Sequence, residues 1–308
     1  MLDNKAVQRF NSLEFIVTQL VEGFMTGLHK SPFHGFSVEF AEHREYNHGE
    51  SVKHVDWKLY ARTDKLFVKR FEEETNLRCY LLIDDSSSMY YPIMDNPTVD
   101  NPNKITFSIY AAACITKLLQ QQRDAVGLSV FSDNIELFTP VRSSIEHQKF
   151  LFTEYEKLIE NFKLSDKRKT DVTNSIHLLA EKIHKRSLVI LFTDMFDDNA
   201  DLNSVFSALQ HLKYNKNEVV LFHVVDKYKE IDFNFPEKPT KFIDLETNTE
   251  LKINPRLIRE EYIDFQKKFH EEIKLRCQQY QIDYVEADIN TGYNNIMLTF
   301  LKKRQKLH

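Results

Sequence analysis

Near-continuous apolar runs at 79–83, 126–131, 188–192 and 219–225 constrain this chain more than any other feature. A strand with one face in water alternates apolar and polar residues, whereas a strand covered on both faces prints as an unbroken run, the habit of parallel sheets flanked by helices. A weaker run follows at 282–285. Between the runs, segments 105–121, 144–162, 172–185, 203–213 and 256–280 carry apolar residues at helical spacing. The order is therefore βαβ throughout. Right-handed crossovers turn that order into an α/β fold with a doubly wound, mostly parallel sheet.

The chain around the sheet reads differently. Over 7–24, apolar residues from Phe10 to Phe24 form one helical stripe. From Gly35 to Asn76 the pattern shortens, with Val38 and Phe40 alternating with polar neighbours and Leu66-Phe67-Val68 beginning a strand. The expected organisation is a helix plus a small β-rich module over 1–76, then the sheet domain over 77–308. A β-hairpin at 241–253, turning near Thr247-Asn248, decorates that domain within an insertion at 230–254. With 308 residues, 42% hydrophobic and 28% charged, the chain has globular composition and can bury a sizeable core.

Several function classes are disfavoured. The apolar runs are far shorter than the roughly 20 residues that span a bilayer. The first residues, MLDNKAVQRFNSLEF, lack the features of a signal peptide, so a cytoplasmic protein is expected. Cys79, Cys114 and Cys277 have no paired spacing and read as reduced core residues. A formal charge of −5 gives no footprint for nucleic acid, and the basic tail Lys302-Lys303-Arg304 reads as a solvated helix end. With six glycines and no Gly-rich phosphate loop, ATP hydrolysis is not expected. No Gly-x-Ser-x-Gly elbow or His-Glu-x-x-His pair occurs.

The chemistry concentrates where the first run ends, at Ile83-Asp84-Asp85-Ser86-Ser87-Ser88-Met89. Alternating spacing sends Asp84, Ser86 and Ser88 toward one point, and all three offer the hard oxygens that Mg²⁺ or Mn²⁺ prefers. The same residue types also serve as turn formers and helix caps. Two further segments point to a metal: Leu191-Phe192-Thr193-Asp194 brings an aspartate to the end of another buried strand, and Lys169-Thr170-Asp171 opens the helix leading to it. If the strands ending at Ile83 and Phe192 are neighbours, these loops meet where the winding reverses, the place where open α/β sheets bind ligands. Asp85 and Asp171 read as bystanders or caps.

This constellation resembles the metal-ion-dependent adhesion site of von Willebrand A domains, a Rossmann-like fold. The resemblance implies coordination by Ser86, Ser88 and Thr170, with Asp84 and Asp194 binding directly or through water, and an open position for a partner's acidic side chain. Glu39-Phe40, Arg44, Tyr46, Gly49, Asp56-Trp57, Ala61-Arg62 and Glu74, with Arg259, Tyr262, Cys277 and Ile282-Asp283-Tyr284, are similar to a bacterial family of von Willebrand A-like proteins commonly encoded beside MoxR-type AAA+ ATPases. Glu50 and Lys53 depart from the family's usual Asp and Arg. What the resemblance implies is a non-enzymatic adaptor that grips a MoxR-type ATPase or its client in chaperone-like complex assembly or maturation.

Two alternatives stay open. The cluster Glu39, Arg44, Asp56, Trp57, Arg62 and Glu74 reads either as ion pairs pinning the β module or as a partner-binding face anchored by Trp57. A Mg²⁺-dependent phosphotransferase or phosphatase could use Asp84 as nucleophile. It would then need a proton donor two residues on, where Ser86 cannot serve near neutral pH.

Overall fold

The computed structural model describes residues 13–26, 40–46, 55–71, 77–160, 171–196, 202–245 and 249–307. It divides into two compact units, His34–Leu77 on its own, and Met1–Phe33 together with Arg78–His308. Helix α1 (Leu13–Thr26) is the first element among the described residues.

The small unit holds β1 (Phe40–Glu45), α2 (Trp57–Thr63) and β2 (Phe67–Phe71), with the two strands paired antiparallel. Helix α2 is defined at both ends. The Asp56 carboxylate accepts the Lys58 and Leu59 N–H groups at 3.0 and 3.1 Å, satisfying donors the first turn cannot. At the other end Asp64 takes a left-handed φ of 54° and returns its N–H to the Tyr60 carbonyl, a conformation Asp tolerates better than most residues.

The large unit is built on β3 (Arg78–Asp84), α3 (Lys104–Gln121), β4 (Ala125–Phe131), β5 (Ile135–Phe138), α4 (Ile145–Glu160), α5 (Val172–Lys182), β6 (Leu188–Thr193), α6 (Leu202–Tyr214), β7 (Glu218–Val225), β8 (Thr240–Ile243), β9 (Glu250–Ile253), α7 (Pro255–Gln279), β10 (Asp283–Asp288) and α8 (Tyr293–Leu307). Six strands form one sheet in the order β10-β7-β6-β3-β4-β5, parallel except for β5 at one edge. Strands β8 and β9 make the expected separate hairpin. Its turn at Thr247-Asn248 lies outside the described residues.

The continuous apolar runs are explained by cover on both faces. Tyr80, Leu82, Val189, Leu191, Val219 and Leu221 pack with apolar residues of α5, α6 and α7. Their alternating neighbours face the other side, where α3 lies against β3 and β4 and Phe222 meets Phe300 of α8. Each such fully buried side chain contributes about 1.5–3 kcal/mol of transfer free energy. Helix α3 buries fifteen of its eighteen residues because α1 covers it from outside. This reassigns α1, which the sequence grouped with the β module over 1–76. Its stripe of Leu13, Val17 and Val21 is buried, and it is tied to the sheet unit by Leu13 N–H to Glu156 Oε1 at 3.3 Å and by the Glu14–Lys117 ion pair at 3.2 Å.

Two elements carry no strong sequence signal. Edge strand β5 folds back on β4, and Gly127 permits the close approach, because a Cβ there would lie 3.1 Å from the Thr139 carbonyl oxygen and 3.1 Å from Val141 Cγ1. Helix α8 corrects the reading of the basic tail as solvated. Lys302 and Lys303 are exposed, but Arg304 is buried and clasps Glu218 through two bonds of 2.7 and 3.2 Å. The three cysteines are free and buried, as expected. Among the described residues no helix is long and apolar enough to cross a membrane.

Candidate metal centre

Strands β3 and β6 are parallel neighbours with Ile83 opposite Phe192, so Asp84 and Asp194 leave the sheet side by side at its carboxyl edge. The chain moves from β3 to β4 in one direction and reaches β6 and β7 on the other side of β3, so this is the point where the winding reverses.

The first aspartate is held by its own loop and by the neighbouring strand. Asp84 Oδ1 accepts the Ser86 N–H at 3.0 Å and Oδ2 accepts the Thr193 hydroxyl at 2.7 Å. That hydroxyl in turn accepts the Met195 N–H at 3.0 Å, which fixes the exit from β6 even though Met195 adopts a left-handed φ of 58°. Ser86 opens a 3₁₀ turn over Ser87–Tyr90, which places its Oγ 3.0 Å from that of Ser88. Burial, and then the negative charge of Asp194, push the Asp84 carboxyl up to about 7. Among the described residues no ion pair relieves it.

The second aspartate already has a cationic partner, which it shares with Glu230. Lys104, at the start of α3, places Nζ 2.8 Å from Asp194 Oδ2 and 2.6 Å from Glu230 Oε1, with the lysine and aspartate side chains only 2% and 4% exposed. The other Asp194 oxygen accepts the Phe196 N–H at 3.1 Å. Beneath lies His223, whose Nε2 is 3.0 Å from the Asp194 carbonyl oxygen and whose Nδ1 is 3.0 Å from the Tyr284 hydroxyl. Burial, followed by the adjacent His270, lowers its pKa to about 3, so the ring is neutral.

The structure thus brings together Asp84, Ser86, Ser88 and Asp194. Thr170 lies outside the described residues. Asp171 caps α5 by accepting the Asn174 N–H at 2.9 Å, and Asp85 accepts the Tyr90 hydroxyl. The donor set of one carboxylate and two hydroxyls fits a hard cation, with Asp84, Ser86 and Ser88 able to hold it. Asp194 fits less directly, since both its oxygens are engaged and contact would run through water or require Lys104 to move. Among the described residues no group of three or more His, Cys, Asp or Glu side chains gathers as a metal cluster. The expected set differs from such a cluster in relying on hydroxyls.

In the small unit, Asp56 acts as the α2 cap, Arg62 is exposed in the last turn, and Trp57 is 58% exposed with its ring edge-on to Tyr60 at 6.2 Å. Arg44 lies in β1 opposite Val68. Glu39 and Glu74 lie outside the described residues. Sequence reasoning missed Lys104, Thr193 and His223. Thr193 and His223 were visible as polar residues in or beside apolar strands, whereas Lys104 gave no signal beyond its place before an apolar helix.

Curated relatives include the uncharacterized proteins Rv1480 of Mycobacterium tuberculosis and Mb1516 of Mycobacterium bovis, each 27% identical over 146 residues, 47% of this chain and 44% of the relative. The chain therefore spans less than half the length of the curated relatives it matches. Similar solved structures include BatB from Bacteroides thetaiotaomicron, with 13% identity and a TM-score of 0.42 over 75% of this chain and 99% of that one. Another is the VWA domain of SpRpn10, with 13% identity and a TM-score of 0.36 over 49% and 77%. Residues 42–272 match the family described as protein of unknown function DUF58, and with three quarters of its length inside that match the chain belongs to this family.

Proposed function

We propose that this chain is a non-enzymatic adaptor that binds a protein partner through a Mg²⁺- or Mn²⁺-dependent site of the adhesion type. The observation that carries the reading is the meeting of Asp84, Ser86, Ser88 and Asp194 at the switch point of the sheet, two adjacent strand ends supplying oxygens to one place. Ser86 and Ser88 would hold the ion through their hydroxyls and Asp84 through its carboxylate, with Asp194 acting through water; the resemblance adds Thr170 to this set. When bound, the ion supplies an open coordination position to a carboxylate from the partner. The turn over Ser87–Tyr90 fixes the spacing of the two hydroxyls, and Thr193 orients Asp84.

The partner in this reading is a MoxR-type AAA+ ATPase or a client delivered to it, an assignment that rests on the resemblance of residues. The test combines calorimetric titration of Mn²⁺ with capture of the purified ATPase in Mg²⁺ and in EDTA. Wild type should bind the ion and retain the ATPase only in Mg²⁺, and Ser86→Ala/Ser88→Ala should lose both while keeping its circular dichroism. Equal Mn²⁺ binding by wild type and the double variant would sink the metal assignment.

A further inference from the structure

Beside the candidate metal centre, a cavity of about 630 Å³ opens between the carboxyl end of β7, the turn over Lys227–Ile231, the β8–β9 hairpin and α7. That volume falls within the range of roughly 300–1,000 Å³ found for specific ligand sites. Its wall is aromatic. Phe233 packs on Tyr262 at 4.3 Å and on Phe242 at 5.8 Å, and Phe235 meets Phe242 at 5.0 Å. These rings come from three separate segments and hold one another in place, so the wall is built before any occupant arrives.

The cavity's polar end is shared with the metal centre, for Ser88 and Asp194 line both. Its rim is apolar and open to water, with Phe196, Ile243 and Leu251 each exposed by half or more. A small molecule enclosed by the wall would leave that rim uncovered, whereas a polypeptide extending past the mouth would bury it. Charge adds a further constraint. Lys229 Nζ lies 4.8 Å from the Phe235 ring and 4.9 Å from the Tyr228 ring, donates to the Asn234 carbonyl at 2.8 Å, and among the described residues forms no ion pair. The other charges of the lining are Lys104, held between Asp194 and Glu230, and Asp244 on the hairpin side, so Lys229 offers a local contact for an acidic side chain while the wall as a whole is of mixed sign. The acidic character of the occupant therefore comes from the proposed carboxylate site, and a basic peptide is the natural control.

We infer that the cavity reads an acidic peptide segment of the partner, whose bulky apolar side chain enters the aromatic wall while a neighbouring carboxylate reaches the end lined by Ser88 and Asp194. The inference rests on the proposed carboxylate site and adds the chemistry that selects among acidic partners. An aromatic-walled cavity filled by one large side chain is the arrangement in which a single anchor dominates binding.

The test is selection of a random peptide library displayed on phage against the immobilised full chain in Mg²⁺, followed by fluorescence anisotropy of the enriched peptides. Enriched sequences should pair Phe, Trp or Leu with a nearby Asp or Glu. Replacing the apolar residue by Ala should weaken binding about tenfold or more, as should Leu251→Glu, a change at an exposed hairpin position compatible with folding, and Phe242→Ala in the wall. Enrichment without an apolar anchor, enrichment of basic peptides, no enrichment, or unchanged affinity in both variants would each overturn the inference. Failure of the metal reading looks different: anchored acidic peptides would then bind equally in EDTA and to Ser86→Ala/Ser88→Ala, while still losing affinity in Leu251→Glu.

Discussion

Replacing Lys104 by Met removes the cation between two carboxylates and leaves an apolar side chain of similar length. Burial opposes the lysine's charge, yet Asp194 and Glu230, through charge and hydrogen bonds, carry its pKa above the ordinary lysine range. The cost of substitution falls unevenly. Glu230 is 31% exposed and can turn toward water, but Asp194 is 4% exposed and stays where it is. Breaking a buried pair from one side costs roughly 3–5 kcal/mol, and relaxation of Glu230 places this case near about 3 kcal/mol. Urea unfolding in EDTA, followed by circular dichroism and compared at equal denaturant slope, reads this directly. Mg²⁺ supplies the second arm. If Asp194 lies within the ion's field, a divalent charge substitutes for the lost ammonium, so the variant should gain more stability from Mg²⁺ than wild type does. A loss below about 1 kcal/mol in EDTA, the scale of an ordinary substitution, would refute the charge argument. An unchanged Mg²⁺ response would place Asp194 outside the site.

Two further outcomes follow from the same physics. The Asp84 carboxyl is raised from 3.8 to about 7 by burial and then by Asp194. Its contribution to stability is therefore fully present below the unfolded value and is lost as pH rises through the folded one. In EDTA, Asp84→Asn should gain on wild type by about 1.4 kcal/mol per pH unit across that window; a difference in urea midpoints that stays flat with pH contradicts the assignment. Arg304→Ala should cost about 2–3 kcal/mol, since a buried guanidinium loses two charge-assisted bonds to Glu218, while exposed Lys302→Ala stays within about 0.5 kcal/mol. Equal urea midpoints for these two variants would show that the clasp does not hold α8 to β7.

Much of the sheet was legible because burial on both faces writes itself into consecutive residues. Strands β3, β4, β6 and β7 print that way, and the intervening helices carry their periodicity plainly. Strand β5 does not, because an edge strand of Ile135–Phe138 buries neither face fully and leaves Glu136 exposed. Helix α8 was hidden behind its charges, since a basic triplet reads as solvated until Arg304 is seen to turn inward toward a residue 86 positions earlier. Asp84, Ser86, Ser88 and Asp194 were readable as strand-end residues. Lys104 was not, because its partners lie 90 and 126 residues away, and a lysine at a helix start ordinarily faces water. The cavity wall was invisible for the same reason: Phe233, Phe242 and Tyr262 share no period and meet only after the hairpin folds over α7.

The two aspartates at this edge solve one electrostatic problem in different ways. Carboxylates on adjacent buried strand ends disfavour each other's charge, and a fold that keeps both must compensate at least one. Lys104 compensates Asp194 and, by reaching Glu230 as well, ties the edge of the sheet to α3 and to the turn after β7. Asp84 is left with hydrogen bonds from Thr193 and Ser86, which orient its oxygens without cancelling its charge. Under the proposed reading the labour is therefore divided: Asp194 is an internal counterion that holds the site's wall, and Asp84 is the carboxylate left without a cation of its own, which an external cation would hold in its charged form. A centre built on one such carboxylate and two hydroxyls holds its ion with little negative charge of its own. On that reading the acidic group of a partner would complete the charge balance, and the open cavity beside this edge of the sheet would give it access.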